Sequence, residues 1–350
     1  MPDTAAPLRD AISLLVRRQS LTEQLATEVF NVVMRGEATP VQIAALLVGL
    51  RVKGETAEEV AGAARALREA MVRVDADGAR VVDTCGTGGG TVTTFNISTG
   101  AALVAAGAGA YVAKHGNRSF TSRCGSADVF EALGVATTLD AATAGRVLRE
   151  ALITFLFAPN FHPAMKHVGP VRRELGVPSV MNLVGPLANP AGARYQVLGV
   201  ADRERAPLMA AALLRLGAEH AMVVHGRVGM DEISPQGVTE VWEVRHGAVT
   251  SWEIDPEDHR HAIADASVLA GGTPADNAAR MEGLLAGRGQ GTADAGGFSA
   301  LVLNAGAAIY VAGLAPSYAA GVELAEEVVR SGAGFAALER LRRAVASTGG

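Results

Sequence analysis

The feature that most narrows the possible folds is a change of texture at Asp77-Gly78. Beyond it, short β-prone runs alternate with Ala- and Leu-rich helical stretches, the pattern of an α/β domain built on a central, mainly parallel sheet. The spacing predicts strands at 80–83, 110–114, 154–157, 196–200 and 221–225, separated by helices at 97–107, 140–150 and 203–216. Further helices are expected at 274–286, 294–312 and 318–330, and the runs 240–244 and 249–254 around Arg245-His246-Gly247 predict an antiparallel hairpin. Ahead of the change the chain reads as a small all-helical region. Three helix starts follow one another, each an N-cap hydroxyl with Glu or Gln three positions on: Ser20 with Glu23, Thr39 with Gln42 and Thr56 with Glu59. Pro40 suits a first helical position, and Gly36 and Gly54 fall where the preceding helices would end.

Composition excludes several function classes. The 350 residues are 49% hydrophobic, enough for a real core at roughly 100–200 residues per domain. Net charge −5 and only 4% aromatic residues speak against nucleic acid or an anionic membrane as partner, so any phosphate site has to be local. Cys85 and Cys124 form no disulfide framework and no zinc spacing, Arg9 and Asp10 interrupt any signal-like apolar run, and a cytoplasmic location is expected. The uncharged stretch 84–113 opens with Gly and Thr, and is no membrane span.

Chemistry concentrates in four places. Asp83-Thr84-Cys85-Gly86-Thr87-Gly88-Gly89-Gly90 is a glycine-rich loop after a strand and before the helix signal Asn96-Ile97-Ser98-Thr99. Glycines let backbone amides reach a phosphate, and a helix N-terminus favours an anion. No GK[ST] follows and GxGxxG is not met, so on its own the loop reads equally as a phosphate cradle or a tight turn. Lys114-His115-Gly116-Asn117-Arg118 ends the next strand, where ligands of open α/β sheets bind, with the hydroxyls of Ser119, Thr121, Ser122 and Ser126 behind it. Asp231-Glu232 offers hard oxygen ligands for Mg²⁺, with Ser98 as a further oxygen. A general acid and base pair is the weaker reading there, because adjacent residues of an extended segment point to opposite sides. Arg172 has the planar fork that matches a substrate carboxylate, the alternative being an ordinary helix-surface arginine. His162 and His167 are five apart, which is not the spacing of a helical zinc pair.

Taken in order, GTGG, FNIST, KHGNR, GSAD, NFHPAMKHVGPVRRELG, NLVGPLANP and GMDEIS resemble the anthranilate phosphoribosyltransferase family over nearly the whole chain. The resemblance implies a fold of the nucleoside phosphorylase/phosphoribosyltransferase type. Its small helical domain would comprise 1–75 with a returning segment at about 170–190, and its large α/β domain 76–169 and 191–350. It implies transfer of 5-phosphoribosyl from phosphoribosyl pyrophosphate (PRPP) to the amine of anthranilate, a homodimer formed through the helical domain, and Mg²⁺, two ions per subunit. Matched residue by residue, PRPP would meet Gly86, Gly89, Gly90, Thr94, Asn96, Ile97, Ser98, Thr99 and Lys114, the loop His115, Gly116, Asn117, Arg118, Ser119, Phe120, Thr121 and Ser122, and Ser126. Anthranilate would meet Gly86, Asn117 and Arg172, and metal would meet Ser98, Asp231 and Glu232, with no general base assigned. One place departs from the family, whose loop reads GTGGD and then Gly. Here Gly90 and Thr91 stand instead, so a carboxylate that would help organise pyrophosphate, ribose and metal waters is missing, and Gly90 remains as a backbone contact. The rival readings are a pyrimidine nucleoside phosphorylase, against which the HPAM and GPLANP segments and the acidic pair stand, and a nucleic-acid-binding relative, which net charge opposes.

Overall fold

The alternating runs join into one seven-stranded sheet whose strand order places the site. The computed structural model describes residues 6–119, 124–288 and 294–347. In it β1 (Val81–Gly86), β2 (Tyr111–Gly116), β3 (Ile153–Phe157), β4 (Tyr195–Gly199), β5 (His220–Gly226), β6 (Thr239–Arg245) and β7 (Ala248–Ile254) lie in the order β3-β2-β1-β4-β5-β6-β7. The first five strands run parallel, and β6 and β7 add an antiparallel edge. The order reverses between β1 and β4, so a crevice opens beyond their carboxyl ends. All seven expected strands form. β1 and β2 run two or three residues further than the pattern predicts, because their terminal glycines still pair, Gly86 with Gly199 and Gly116 with Phe157. His246 and Gly247 turn the hairpin with φ of +52° and +75°, the left-handed pair that a two-residue connection demands.

The sheet separates two apolar cores, and the period of two in a strand sorts side chains between them. On β5, Met222 and Val224 face the first core while Ala221 and Val223 face the second. Helix Ile97–Gly107 lies in the first core with almost every residue buried. Its small side chains are what the packing requires. A Cβ on Gly100 would stand 2.8 Å from Leu301 of helix Ala295–Val311, and one on Gly107 would stand 2.9 Å from the backbone of Ala333. The Ala/Gly-rich part of the uncharged stretch is therefore a helix buried among other elements, with the end of β1 before it and the start of β2 after it. Helix Ala333–Ala346, which the sequence pattern did not single out, covers it. The second core gathers helices Ala6–Val16, Glu23–Met34, Pro40–Lys53 and Ala57–Ala70, the short segments bearing Val168, Val180 and Leu187, and helix Ala206–Arg215. Among the described residues no helix is long and apolar enough to cross a membrane.

Two of the three expected capping boxes form, at Thr39 with Gln42 and at Thr56 with Glu59. The third start shifts: Thr22, not Ser20, caps Glu23–Met34, accepting from the Leu25 amide. Glu59 explains why the carboxylate sits where it does. Wholly buried, it accepts from the Thr56 amide at 2.8 Å, from the Leu21 amide at 2.8 Å and from Lys53 Nζ at 2.9 Å, so one residue closes a helix start and ties down the turn before Thr22. Removing one member of a buried charged pair strands the other. Glu59→Ala should therefore lower the unfolding free energy by about 3–5 kcal/mol in urea titrations, and a loss below about 1 kcal/mol would contradict this account.

Candidate active site

Beyond the reversal of strand order lies a cavity of about 480 Å³. Its floor is the turn that follows β1. Gly88 and Gly89 hold φ of +69° and +82°, a conformation open to glycine and strained for other residues, and they lead toward the amino end of helix Ile97–Gly107. That helix begins at Asn96 without a side-chain cap: the Ile97 amide turns back to Phe95 O at 2.6 Å, the Thr99 amide donates to Asn96 O, and the Ser98 amide bonds the Glu232 carboxyl. Asn96 is occupied elsewhere: its amide donates to Cys124 O at 3.1 Å and accepts from Asn277 at 3.0 Å, which fixes the helix start against the Cys124–Ser126 segment.

Lys114 supplies the cation. It is 2% exposed, donates to Thr84 O and reaches Ser98 Oγ at 3.1 Å. Burial pushes its ammonium down, opposed by the nearby Asp83 carboxylate. Asp83 is itself raised to about 6 by burial, against the pull of Lys114 and of Asn189, whose amide donates to it at 2.8 Å and to Ala113 O at 2.8 Å. His115 and His162 meet Nε2 to Nε2 at 3.1 Å under this layer. Burial pushes them down to about 3 and about 4 respectively, so both rings are neutral at ordinary pH.

The acidic pair faces this cationic wall. Asp231 accepts the Gly88 amide through Oδ2 at 2.8 Å, and burial raises its carboxyl. Glu232 is raised to about 8, first by burial and then by Asp231, with Lys114 and the Ser98 amide pulling the other way. Both carboxylates line the same cavity. The expectation of opposite directions fails because the chain bends at Asp231-Glu232 and is not extended there. Among the described residues no cluster of three or more His, Cys, Asp or Glu could cage a metal alone. Two carboxylates and the Ser98 hydroxyl fit an ion that keeps waters and takes its remaining ligands from a phosphate, as Mg²⁺ does.

Of the residues singled out from the sequence, the described ones from Gly86 to Ser119 line the cavity, Ile97 excepted, as do Ser126, Asp231 and Glu232. Ile97 is fully buried and packs into the first core. Arg118 lines the cavity but is tied to Asp128 at 2.8 Å and Glu131 at 2.6 Å, so its charge is already matched. Arg172 stands one residue back. Its Nη2 lies 3.5 Å from Oδ1 of Asn182, which lines the cavity, and burial lowers its pKa with no described carboxylate in contact. Phe120, Thr121 and Ser122 lie outside the described residues. Sequence reasoning missed the support behind the site: Asn189 beneath Asp83, Asn277 beneath Asn96, and Asn304, which grips both the N–H and C=O of Ile233 at 2.9 and 2.8 Å. A lone amide in the apolar run of helix Ala295–Val311 is the signal that could have found Asn304.

Fold and cavity define an α/β enzyme that binds an anionic group where its strand order reverses, with a helical bundle attached. Residues 78–335 match the glycosyl transferase family a/b domain, and residues 9–71 match the helical bundle domain of the same family. The anthranilate phosphoribosyltransferase of Chloroflexus aggregans is 49% identical over 98% of this chain and 99% of its own. The crystal structure of the Thermus thermophilus anthranilate phosphoribosyltransferase superimposes with a TM-score of 0.90 at 45% identity, over 96% of this chain and 99% of that one. The Saccharomyces cerevisiae enzyme in complex with PRPP and Mg gives 0.89 at 28% identity, over 98% of each. This chain belongs to the anthranilate phosphoribosyltransferase family.

The neutral histidine pair has a measurable consequence. Both folded pKa values lie below the ordinary 6.5, so this contribution to stability is complete above pH 6.5 and is lost as pH falls toward 4. The unfolding midpoint should drop between pH 7 and about 4.5, and less steeply in His162→Gln. Equal slopes in the two proteins would rule out the pair as a source of acid sensitivity.

Proposed function

We propose that the chain transfers the 5-phosphoribosyl group of PRPP to the amine of anthranilate and releases pyrophosphate. The observation that carries this reading is the facing of Lys114 and the glycine loop against two carboxylates in one cavity, within a chain of this family. In the transfer the bond from the ribose C1 to pyrophosphate oxygen breaks, a bond from C1 to the anthranilate nitrogen forms, and the amine gives up a proton. Positive charge collects on the sugar as pyrophosphate leaves, as in glycoside chemistry. Lys114 and the amides of Gly89 and Gly90 would receive the negative charge on the leaving group. Bound Mg²⁺, two ions per subunit in this reading, would supply further charge neutralisation between Asp231, Glu232, Ser98 and the phosphates. Asn117 would meet the amine, and Arg172, a half-buried cation with no described carboxylate in contact, the anthranilate carboxylate. Because the amine is itself the nucleophile, the protein acts chiefly by orientation and exclusion of water.

We infer also that the chain divides into a helical part, 1–75 with about 170–190, and an α/β part of 76–169 and 191–350, the shared second core supporting the assignment of the returning segment. Val16, Val41 and Val52 stand 80%, 78% and 68% exposed on helices Ala6–Val16 and Pro40–Lys53, which supports a homodimer through that part. The two-cysteine composition supports a cytoplasmic location.

The direct test follows anthranilate fluorescence after addition of PRPP. Decay that requires Mg²⁺ is expected; folded protein that leaves the signal unchanged at high PRPP would remove the proposal. Arg172→Ala should raise the KM for anthranilate by about tenfold or more while that for PRPP moves little, since a charge-assisted pair is lost. An unchanged anthranilate KM would exclude the role given to Arg172.

A further inference from the structure

The glycine loop does not merely lie near the acidic pair; it is bonded to the same turn at two points. Gly88 N donates to Asp231 Oδ2 at 2.8 Å, and Thr91 N donates to Gly229 O at 2.9 Å. The receiving turn is rigid from behind, because Asn304 holds the backbone of Ile233 on both its polar groups and also donates to Ala300 O at 2.9 Å. Gly226 O accepts from the Gly229 and Met230 amides, which closes the turn on itself. The fit between loop and turn leaves no spare volume. A Cβ at Gly90 would stand 2.8 Å from Gly229 O and 3.4 Å from Asp231 Oδ1, while one at Gly229, where φ is +92°, would stand 2.0 Å from Thr91 Oγ1.

We propose that Thr91 is a positioning residue whose backbone amide, acting with that of Gly88, latches the glycine loop onto the Gly226–Asp231 turn and so sets the Asp231 carboxylate for the cation. The inference rests on the reading of Asp231 and Glu232 as Mg²⁺ ligands. It goes further by making the loop and the metal carboxylates one unit, held at the back by Asn304 and at the front by the latch. The Thr91 hydroxyl contributes little, since it lies 3.4 Å from Val228 O and 3.5 Å from Gly229 O, and the amide carries the contact. Thr91 itself does not line the cavity, so the latch acts on substrate only through Asp231. Gly90 follows from the same geometry: any side chain there wedges the latch open.

Thr91→Pro deletes the donor, and the glycine before it has no Cβ to clash with the proline ring. Thr91→Ser keeps the donor. Gly90→Ala adds the Cβ that meets Gly229 O. Two readouts separate the latch from the metal reading. In amide hydrogen exchange on the protein without ligands, Thr91→Pro and Gly90→Ala should speed exchange across 226–234, and Thr91→Ser should not. In calorimetry of PRPP binding, Thr91→Pro should weaken affinity by about tenfold in the presence of Mg²⁺ and by less than about twofold in its absence, with Thr91→Ser unchanged. Unaltered exchange across 226–234 in both disrupted variants overturns the latch whatever PRPP does. Faster exchange with equal losses of affinity with and without Mg²⁺ overturns the link to the cation. Wild-type protein whose PRPP affinity ignores Mg²⁺ overturns the metal reading beneath it while leaving the exchange result to stand alone. An unfolding midpoint unchanged among the variants excludes global destabilisation as the cause.

Discussion

Two glycines side by side make the rest of the site geometrically possible. Gly86 ends β1 and Gly199 ends β4, they pair across the place where the strand order reverses, and the Asp231 segment is pressed against both. A Cβ at Gly199 would lie 1.6 Å from Asp231 O, and one at Gly86 would lie 2.5 Å from Asp231 Oδ2. No side chain fits either position, so the acidic pair can reach the crevice only because the floor beneath it is bare backbone. Everything else converges on that contact: the loop amides from one side, Lys114 from β2, and the amino end of helix Ile97–Gly107 from behind.

The electrostatics follow from the same crowding. Burial raises Glu232 and Asp231 and lowers Lys114, so each charged form is disfavoured when isolated and each is relieved by an opposite charge. Lys114 alone cannot neutralise the pair, since it also serves Asp83. A polyanion carrying a divalent cation satisfies both halves at once, placing phosphate oxygens toward the lysine and the cation toward the carboxylates. This is the physical sense in which the cavity suits a pyrophosphate ester better than a neutral ligand.

Much of this was legible in the sequence, and what was not has an identifiable cause. The seven strands and the enclosed helix Ile97–Gly107 announce themselves through β-branched runs and an uncharged Ala/Gly stretch, because burial on every side leaves no room for polar groups. Thr39 and Thr56 are found by a local rule, whereas the shift from Ser20 to Thr22 turns on Glu59 reaching the Leu21 amide, a contact 38 residues apart that no local window contains. The cavity-lining residues cluster in short glycine- and cation-rich motifs and could be singled out. Asn277, and the role of Asn189 within GPLANP, could not, for each amide's partner is a buried group from another element, and Asn304 is marked only by standing alone in an apolar helix. The opposite-sides argument for Asp231 and Glu232 failed because a period of two presupposes an extended chain, and the turn closed by Gly226 and Met230 bends it.

The central claim is that the carboxyl ends of β1 and β4 bring a divalent cation and a pyrophosphate together between Asp231, Glu232 and Lys114. The most direct measurement is anomalous diffraction from crystals grown with PRPP and Mn²⁺. The account predicts a manganese peak within bonding distance of the Asp231 or Glu232 carboxylate and of pyrophosphate oxygens, with the pyrophosphate against the amides of Gly89 and Gly90. A peak remote from both carboxylates, or a pyrophosphate lodged outside the crevice, would contradict it.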